Sequence, residues 1–473
     1  MSKLYVFGIG GTGSRVLRAL SMLLASGVRC DADTIVPIVI DPDEAGGDVE
    51  RAATLMRHYG NVRDYLEFSD NQHNRFFRTE IRQIVNNFHM PLENTSNTSF
   101  KDYMGVSTMS KPNKALANAL FSEKNLNSDM TVGFKGNPNI GSVVLNQFET
   151  SDAFAQFANG FAADDRIFII SSIFGGTGAS GFPLLVKTLR TSQSIANPNL
   201  VNNSPIGAVT VLPYFKVEVD DDSQIDSSTF VTKARSALAY YDRTFTRQGG
   251  NNRPDILYYI GDDQRSTVYE NNEGGAAQRN NAHFIELASA MAILDFANTP
   301  NVQTNCCVYK EFGIEKDVNE IILGNLGVGS QSLVAKPMTQ FALFAKYLRD
   351  NGDFTNQPWA KDRGINNTFI QDQFLSNLNT NILSEYLRWL DEMGEQQRAF
   401  TPFDTGNDID RVFDLVKGRD PSWVASLERN YALFNNRLNS ASRNVTDGKV
   451  EQQFMEVFYL ATERLCREKL NIQ

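Results

Sequence analysis

Two glycine-rich segments in the N-terminal half have the composition of phosphate-binding loops. The first, residues 8–13, reads Gly-Ile-Gly-Gly-Thr-Gly, and the second, residues 175–181, reads Gly-Gly-Thr-Gly-Ala-Ser-Gly. Each follows an apolar, β-prone run and precedes a predicted helix. Glycines at a strand-to-helix turn let backbone N–H groups and the helix N-terminus approach an anionic phosphate. We therefore expect both segments to bind phosphate groups.

The first segment alone fits three interpretations. It is typical of a dinucleotide-binding Rossmann fold, and it also fits a tight turn that needs glycine only for its backbone. The third interpretation is an ATP-dependent adenylating enzyme of the ubiquitin-activating type. Such enzymes also have an Asp after the second strand, where Asp41 is placed here. The second segment disfavours the two enzyme folds, because neither normally carries another strand-terminating Gly-Gly-Thr-Gly so far downstream. An adenylating enzyme would also need a catalytic thiol, and none of the four cysteines has a suitable context.

The elements around the two segments alternate between strand and helix. Strands are predicted at residues 3–8, 35–40, 166–173, 206–212 and 256–260, and helices at 15–24, from Pro183 onward and at 231–244. This alternation is typical of a Rossmann-type α/β fold with a parallel sheet. The polar residues 48–131 are predicted to be an insertion with helical stretches near 64–87 and 111–121, and residues 248–253 are predicted to be a loop.

Helical periodicity dominates the second half of the chain. A long apolar helix is predicted at residues 281–298, ending near Pro300. Three later apolar stripes at helical spacing are Leu375, Leu378, Ile382, Tyr386 and Leu390; Val424, Leu427, Tyr431, Phe434 and Leu438; and Phe454, Val457, Phe458, Ala461 and Leu465. We therefore predict a nucleotide-binding domain at residues 1–280, a central helix at 281–299 and a mostly helical C-terminal domain at 300–473.

The second glycine segment resembles the signature of the tubulin/FtsZ superfamily. That signature reads GGGTG followed by a small residue and glycine, and Phe174 stands here in place of its first glycine. FtsZ also has a proline six residues after the threonine, and Pro183 stands six residues after Thr177.

Three further motifs resemble the same superfamily, in the same order along the chain. Residues 135–141 resemble the FtsZ loop GANPEVG, which in that family wraps the terminal phosphate. Residues 207–215 resemble the strand VGVVTKPF, and residues 255–263 resemble the strand DLIIVIPND, whose end lies near the base. The helical C-terminal half departs from the strand-rich second domain of FtsZ, so the chain resembles divergent bacterial tubulin-like proteins more than a cell-division FtsZ.

The resemblance implies GTP or GDP as the ligand and a set of residues that bind it. Gly10, Gly11, Thr12 and Gly13 would hold the inner phosphates, Gly136 and Asn137 the terminal phosphate, and Gly175, Gly176, Thr177, Gly178 and Ala179 would offer backbone donors across the phosphate chain. Asp41 or Asp43 would lie near a phosphate-bridging Mg²⁺, because this cation prefers carboxylate and water oxygens. A turn residue at the end of a strand is an equally good interpretation of Asp41.

Three residues are candidates for binding the base and the ribose. Asn281, at the start of the long helix, and Asp262 would contact the edge of the base, although Asp262 stands where the family has Asn. Glu218 matches a ribose-contacting Glu of the family after a shift of one residue.

Hydrolysis in this superfamily uses carboxylates beyond the central helix, in a string that reads NLDFAD. Residues 293–298 read Ile-Leu-Asp-Phe-Ala-Asn, which makes Asp295 a candidate catalytic residue. This string starts about a dozen residues after Asn281, or roughly 18 Å along a helix, which is short of the family's spacing. Asn298 replaces the second carboxylate. Asp295 is therefore also compatible with a helix residue hydrogen-bonded to the neighbouring domain, and we expect weak or absent GTPase activity.

The composition excludes several other classes of protein. A net charge of -10 and the absence of basic clusters exclude nucleic acid as the main partner. The four histidines are scattered, the four cysteines match neither a disulfide framework nor a zinc spacing, and no apolar run is long enough for a transmembrane segment. Without a signal-peptide pattern at the N-terminus, a cytoplasmic location is predicted.

The expected function is a nucleotide-dependent assembly or switch protein. In this superfamily the nucleotide lies at the end of one subunit and is covered by the next, so head-to-tail self-association is expected. A non-hydrolysing scaffold that recruits proteins through the helical C-terminal domain is the alternative, beside the adenylating enzyme.

Overall fold

The computed structural model of the chain describes residues 2–69, 72–131, 133–219, 223, 225–247, 252–262, 267–272, 274–315, 317–421 and 429–473. Four features predicted from the sequence lie outside these ranges: residues 248–251 of the predicted loop, the motif residue Asp263, and the stripe residues Val424 and Leu427.

A parallel sheet forms the centre of the molecule. The strands, in chain order, are β1 Lys3–Ile9, β2 Thr34–Ile40, β3 Glu80–Ile81, β4 His89–Met90, β5 Arg166–Ser172, β6 Ile206–Val211, β7 Lys216–Val217, β8 Ile256–Ile260, β9 Val268–Tyr269, β10 Val308–Glu311, β11 Glu320–Ile321 and β12 Ala399–Phe400. The main sheet has the order β10-β8-β6-β5-β1-β2-β3, and β4 also pairs with β2. All of its pairings are parallel.

Helices cover both faces of this sheet and form most of the second half of the chain. They are α1 Gly10–Ala25, α2 Gly47–Arg63, α3 Phe100–Tyr103, α4 Lys111–Leu120, α5 Glu123–Leu126, α6 Pro138–Val144, α7 Asp152–Asn159, α8 Gly176–Thr191, α9 Pro198–Asn202, α10 Phe230–Tyr241, α11 Phe284–Ala297, α12 Val328–Asp350, α13 Pro358–Lys361, α14 Asn367–Ile370, α15 Gln373–Ser376, α16 Ser384–Gly394, α17 Asn430–Ser442 and α18 Val450–Lys469. The central strands β2 and β6 are buried along their whole length, as expected for a parallel sheet with helices on both faces.

The fold class predicted from the sequence is therefore confirmed: an α/β unit with a parallel sheet, followed by a mostly helical region. The last part of the chain is held together by aromatic side chains from several helices, such as Phe344 on α12 and Phe458 on α18, whose ring centroids are 4.3 Å apart. No helix in the described ranges combines the length and the apolar character that a membrane crossing requires.

The segment 48–131 differs from its prediction. Its main helix is α2, which precedes the helical stretch predicted near 64–87, and that stretch contributes β3 to the sheet beside β2 instead, with β4 following it. Tertiary packing decides the conformation here, since the ring centroid of Phe76 lies 5.2 Å from that of Phe341 on α12. The predicted helix at 111–121 corresponds to α4.

The central helix α11 begins three residues later than the predicted position 281. His283 is its N-cap and accepts a hydrogen bond from the Ile285 N–H through Nδ1 at 3.1 Å. Burial lowers the pKa of the His283 imidazole to about 3, so this cap is neutral at physiological pH.

Candidate functional site

The two glycine segments meet at one edge of the sheet. Strands β1 and β5 are parallel neighbours, and α1 and α8 begin at the turns that follow them. Gly10 has a φ of +75°, and a Cβ placed on it would lie 3.6 Å from the Thr177 Cβ and 3.9 Å from the Gly178 nitrogen. The N-termini of two 16-residue helices therefore lie side by side, which is a favourable environment for negative charge.

Close packing explains two other glycines of these segments. A Cβ on Gly13 would lie 2.4 Å from the carbonyl carbon of Gly8, and a Cβ on Gly178 would lie 2.5 Å from the Ser172 carbonyl oxygen. Both distances are far below van der Waals contact, so a side chain at either position would push the helix away from its strand. These glycines fix the two helix N-termini close to the sheet.

A third loop, residues 134–137, closes over the second glycine segment. A Cβ on Gly176 would lie 3.0 Å from the Asn137 nitrogen and 3.2 Å from the Gly136 nitrogen. Gly136 has a φ of +72°, and the Lys233 Nζ would be 3.1 Å from a Cβ at this position. The backbone nitrogens of this loop and the Lys233 ammonium group thus lie beside the N-terminus of α8.

A cavity of about 160 Å³ lies between the three loops. The predicted residues that line it are Gly10, Gly11, Thr12, Asp41, Asp43, Gly136, Gly175, Gly176, Thr177 and Gly178. Three other predicted residues belong to the loops but lie behind this lining: Gly13, Asn137 and Ala179. The Ala179 carbonyl accepts a hydrogen bond from the Tyr241 hydroxyl at 3.0 Å.

Two buried carboxylates lie on the side of the cavity that follows β2. The Asp43 N–H donates to Asp41 Oδ1 at 3.0 Å, and Asp43 Oδ2 accepts from the Gly275 N–H at 2.6 Å. Burial, and secondarily the neighbouring Asp43, raise the pKa of the Asp41 carboxyl to about 7. Among the described residues, neither carboxylate has a cationic partner in an ion pair, so the pair can accept a divalent cation from outside the chain.

Aromatic side chains also line the cavity. Phe174, Phe215 and Phe230 belong to its lining, together with Asn272 and Gln278. The ring centroid of Phe174 lies 5.0 Å from that of Phe230 and 5.4 Å from that of Phe215. Aromatic rings combined with amide-bearing residues suit a planar heterocycle with polar edges.

Among the lining residues that the sequence analysis missed are two buried charged ones, Arg15 and Asp48. Arg15 Nη2 forms an ion pair with Glu286 Oε1 on α11 at 2.7 Å, and Nη1 lies 3.8 Å from Asp48 Oδ2. Arg15 also donates to the Tyr214 hydroxyl, while its buried Nε has no hydrogen-bond partner among the residues that the structure describes. The available signal was the charge of Arg15 and Arg18 on the otherwise apolar helix that follows the first glycine segment.

The residues predicted to contact the base and the ribose do not line the cavity. Asp262 forms an ion pair with Arg398, and Asn281 Nδ2 donates to Glu395 Oε2 at 2.8 Å. Glu218 is exposed, and its backbone N–H donates to the Tyr269 carbonyl at 2.9 Å. Asn280, one residue before Asn281, lines the cavity instead.

Asp295 lies in the interior of α11 and faces a different cavity, of about 640 Å³. Its Oδ2 accepts from the Tyr258 hydroxyl at 2.5 Å and from the Lys310 ammonium group at 2.5 Å. Asn298 holds the backbone of a neighbouring loop, with its Oδ1 accepting from the Asp31 N–H at 2.9 Å. Both residues therefore make contacts typical of a structural role.

Comparison with known proteins finds similarity at the level of structure. No family model and no curated protein matches the chain. Similar solved structures include CetZ of Methanosaeta thermophila (14% identity, 64% of this chain and 57% of that chain, TM-score 0.28). They also include CetZ2 of Haloferax volcanii in a GTPγS-bound protofilament (15% identity, 63% of this chain and 58% of that chain, TM-score 0.29). A third is TubZ of Bacillus thuringiensis serovar israelensis in a GTPγS-form protofilament (13% identity, 83% of this chain and 82% of that chain, TM-score 0.27).

The chain thus spans 57% and 58% of the two CetZ chains. A structure of an FtsZ is also similar, at 14% identity and a TM-score of 0.25. The TM-scores of these four structures lie between 0.25 and 0.29.

Proposed function

We propose that this chain binds a nucleoside triphosphate, with guanine preferred, in the cavity between the two glycine segments. The approach of Gly10 to Thr177 and Gly178 carries the proposal, because it places two helix N-termini beside one space. A triphosphate there would accept hydrogen bonds from the backbone N–H groups of both loops, and the loop at Gly136 would close over its end.

Mg²⁺ fits the same site. Asp41 and Asp43 are buried carboxylates on the cavity wall, burial raises the pKa of Asp41, and no cation among the described residues pairs with either carboxylate. A bound Mg²⁺ would supply that positive charge and would neutralise part of the charge on the phosphate oxygens. These two residues would hold the ion together with water and phosphate oxygens.

The preference for guanine rests on the motif resemblance, and the base would lie against the aromatic lining residues such as Phe215. We further propose that binding controls head-to-tail self-association, with little or no hydrolysis by the isolated chain. The contacts of Asp295 with Lys310 and Tyr258 support slow turnover, because they occupy the one carboxylate that the resemblance offers as catalytic.

The contacts of Asp295 also favour a second function, a nucleotide-bound scaffold that does not turn over. In that case the nucleotide would stabilise residues 1–280 and the central helix, and the helical residues 300–473 would recruit partner proteins. Concentration-dependent assembly in GTP separates the two functions, because only the first predicts it.

Titration with fluorescently labelled GTP and ATP tests the proposal. The wild-type chain should bind GTP more tightly than ATP, and Gly176→Val should abolish binding, because a side chain there collides with the loop at Asn137. Gly60→Ala is the matched control, since a methyl group on Gly60 of α2 would have no described atom within 4 Å apart from its chain neighbours and the nearby backbone of its own helix, and Gly60 does not line the cavity. Failure of both nucleotides to bind the wild-type chain at micromolar concentrations would exclude the proposal, and tighter binding of ATP would support an adenylating enzyme instead.

A further inference from the structure

A cluster of six buried charged side chains connects the nucleotide cavity to the helical region. It comprises Arg15 and Arg18 on α1, Asp48 and Arg51 on α2, Glu286 on α11 and Glu392 on α16. Each side chain is 9% exposed or less. The three arginines and three carboxylates balance in formal charge, as buried ions must if they are to remain ionised.

The contacts run in an unbroken series from the cavity to α16. Arg15 and Asp48 line the cavity and lie 3.8 Å apart. Asp48 Oδ1 lies 3.5 Å from Arg51 Nη2, and Arg51 Nη1 lies 3.3 Å from Glu392 Oε1. Glu392 also binds Arg18, at 2.6 Å.

Glu392 holds one wall of the cavity from its outer side. This wall is the segment 274–282, whose residues Gln278 and Asn280 line the cavity. Glu392 Oε2 accepts a hydrogen bond from the Ala282 N–H at 2.9 Å, and Arg51, which Glu392 orients, donates to the Asn280 carbonyl at 2.5 Å. At its other end the wall is fixed to α2, because the Gly47 N–H donates to the Gly275 carbonyl at 3.1 Å, and the Asp48 N–H donates to the Gln278 carbonyl at 3.0 Å.

We propose that Glu392 is a positioning residue for the nucleotide site, so that α16 of the helical region holds one wall of a cavity that the N-terminal half of the chain lines. The inference rests on the proposed binding of a nucleotide in this cavity. Glu392 acts through Arg51 and the Ala282 N–H and does not line the cavity itself.

Charge balance explains why the wall depends on this carboxylate. If the negative charge of Glu392 is removed, each arginine retains one acidic partner in the described part of the chain. Arg18 retains Glu385, at 3.7 Å, and Arg51 retains Asp48. Arg51 would then draw Asp48 away from Arg15, and the hydrogen bond that fixes Ala282 would be weakened. Because binding free energies are reciprocal, a bound nucleotide must strengthen the docking of α16 by the same factor by which docked α16 strengthens nucleotide binding.

A double-mutant cycle on the full chain tests the proposal. The variants are Glu392→Gln, Arg51→Met and the double variant, and the control is Asp391→Asn, an exposed neighbour on α16 that contacts Thr405. GTP affinity is measured at a temperature at which circular dichroism shows every variant to be folded. We expect each single variant to bind GTP about tenfold more weakly, the double variant to bind no more weakly than either single variant, and Asp391→Asn to match the wild type.

Each outcome is decisive for one of the two claims. If the wild-type chain does not bind GTP, the proposed function fails. If it binds and folded Glu392→Gln binds equally well, or if the losses of the two single variants simply add, Glu392 does not position the site through Arg51. If Glu392→Gln does not fold, Glu392→Asp replaces it, because the shorter side chain cannot reach both Arg51 and Ala282. If folded Glu392→Asp binds GTP as tightly as the wild type, the inference is also overturned.

Discussion

The Asp43 N–H donates to the Asp41 carboxylate at 3.0 Å, and this contact holds two buried acidic side chains at the edge of the cavity. Burial raises the pKa of Asp41 from 3.8 to about 7, so in the nucleotide-free chain Asp41 binds a proton more tightly when folded than when unfolded. The acidic pair therefore makes the free energy of unfolding depend on pH in a defined direction.

We expect the contribution of Asp41 to stability to decrease as pH rises from about 4 to about 7. Between its unfolded and folded pKa the folded state binds more protons, so the free energy of unfolding falls with pH by at most about 1.4 kcal/mol per pH unit for this group. Chemical denaturation of nucleotide-free wild type and Asp41→Asn at several pH values measures it. The stability of Asp41→Asn relative to wild type should rise with pH across this window, whereas exposed Asp362→Asn should show no such trend. A constant difference for Asp41→Asn would contradict the assigned shift.

Gly10→Ala should weaken nucleotide binding by about tenfold or more. The residue has a φ of +75°, which costs an alanine about 1 kcal/mol, and its new methyl group would point toward Thr177 in the space that the phosphates need. Thr177→Ala should have a smaller effect, because the backbone donors remain. Titration calorimetry with GTP compares the two variants, and equal affinities for Gly10→Ala and wild type would place the phosphates elsewhere.

The isolated chain should release phosphate from GTP slowly or not at all, and Asp295→Ala should leave that rate unchanged. Asp295 is about half exposed and pairs with Lys310, so the substitution should cost about 1 kcal/mol of stability or less. A steady-state phosphate-release assay over a range of protein concentrations is the measurement. Fast turnover that increases with protein concentration and disappears in Asp295→Ala would show that this carboxylate is catalytic.

Self-association, where it occurs, should depend on nucleotide and should be head-to-tail. A heterologous contact of this kind continues into a filament unless its rotation closes a ring. Sedimentation and electron microscopy with GTP, GDP and a slowly hydrolysed GTP analogue distinguish the states. A monomer under all conditions, or a single symmetric dimer that is indifferent to nucleotide, would favour the scaffold function.

Local sequence patterns predicted the central part of the fold. Apolar runs such as residues 35–40 became β2, and the glycine segments lie at the strand-to-helix turns where they were expected. In contrast, β3 and β4 have two residues each, which is too short for any periodicity to be seen. They form because β2 offers its unpaired edge, and this is a tertiary effect.

In the candidate site, too, some residues could be predicted from local sequence patterns and others could not. The glycine segments could be found from the sequence because glycines such as Gly13 and Gly178 are required by the backbone that lies next to them. The pairing of Arg18 with Glu392 joins residues 374 positions apart, and the pairing of Asp262 with Arg398 joins residues 136 positions apart. Neither pairing is visible in one sequence. Asp262 was therefore expected at the base, and Arg15, which pairs with the distant Glu286, was missed.

The central claim, that a guanine nucleotide occupies the cavity lined by both glycine segments, is tested most directly by analysing the nucleotide bound to the protein. Wild type, Gly176→Val and the control Gly60→Ala are incubated with GTP, GDP, ATP and Mg²⁺, separated from free nucleotide, denatured and analysed by ion-exchange chromatography. We predict about one guanine nucleotide per chain in wild type and Gly60→Ala and none in Gly176→Val. Wild-type protein that carries no nucleotide, or a Gly176→Val variant that carries as much as wild type, would contradict the account.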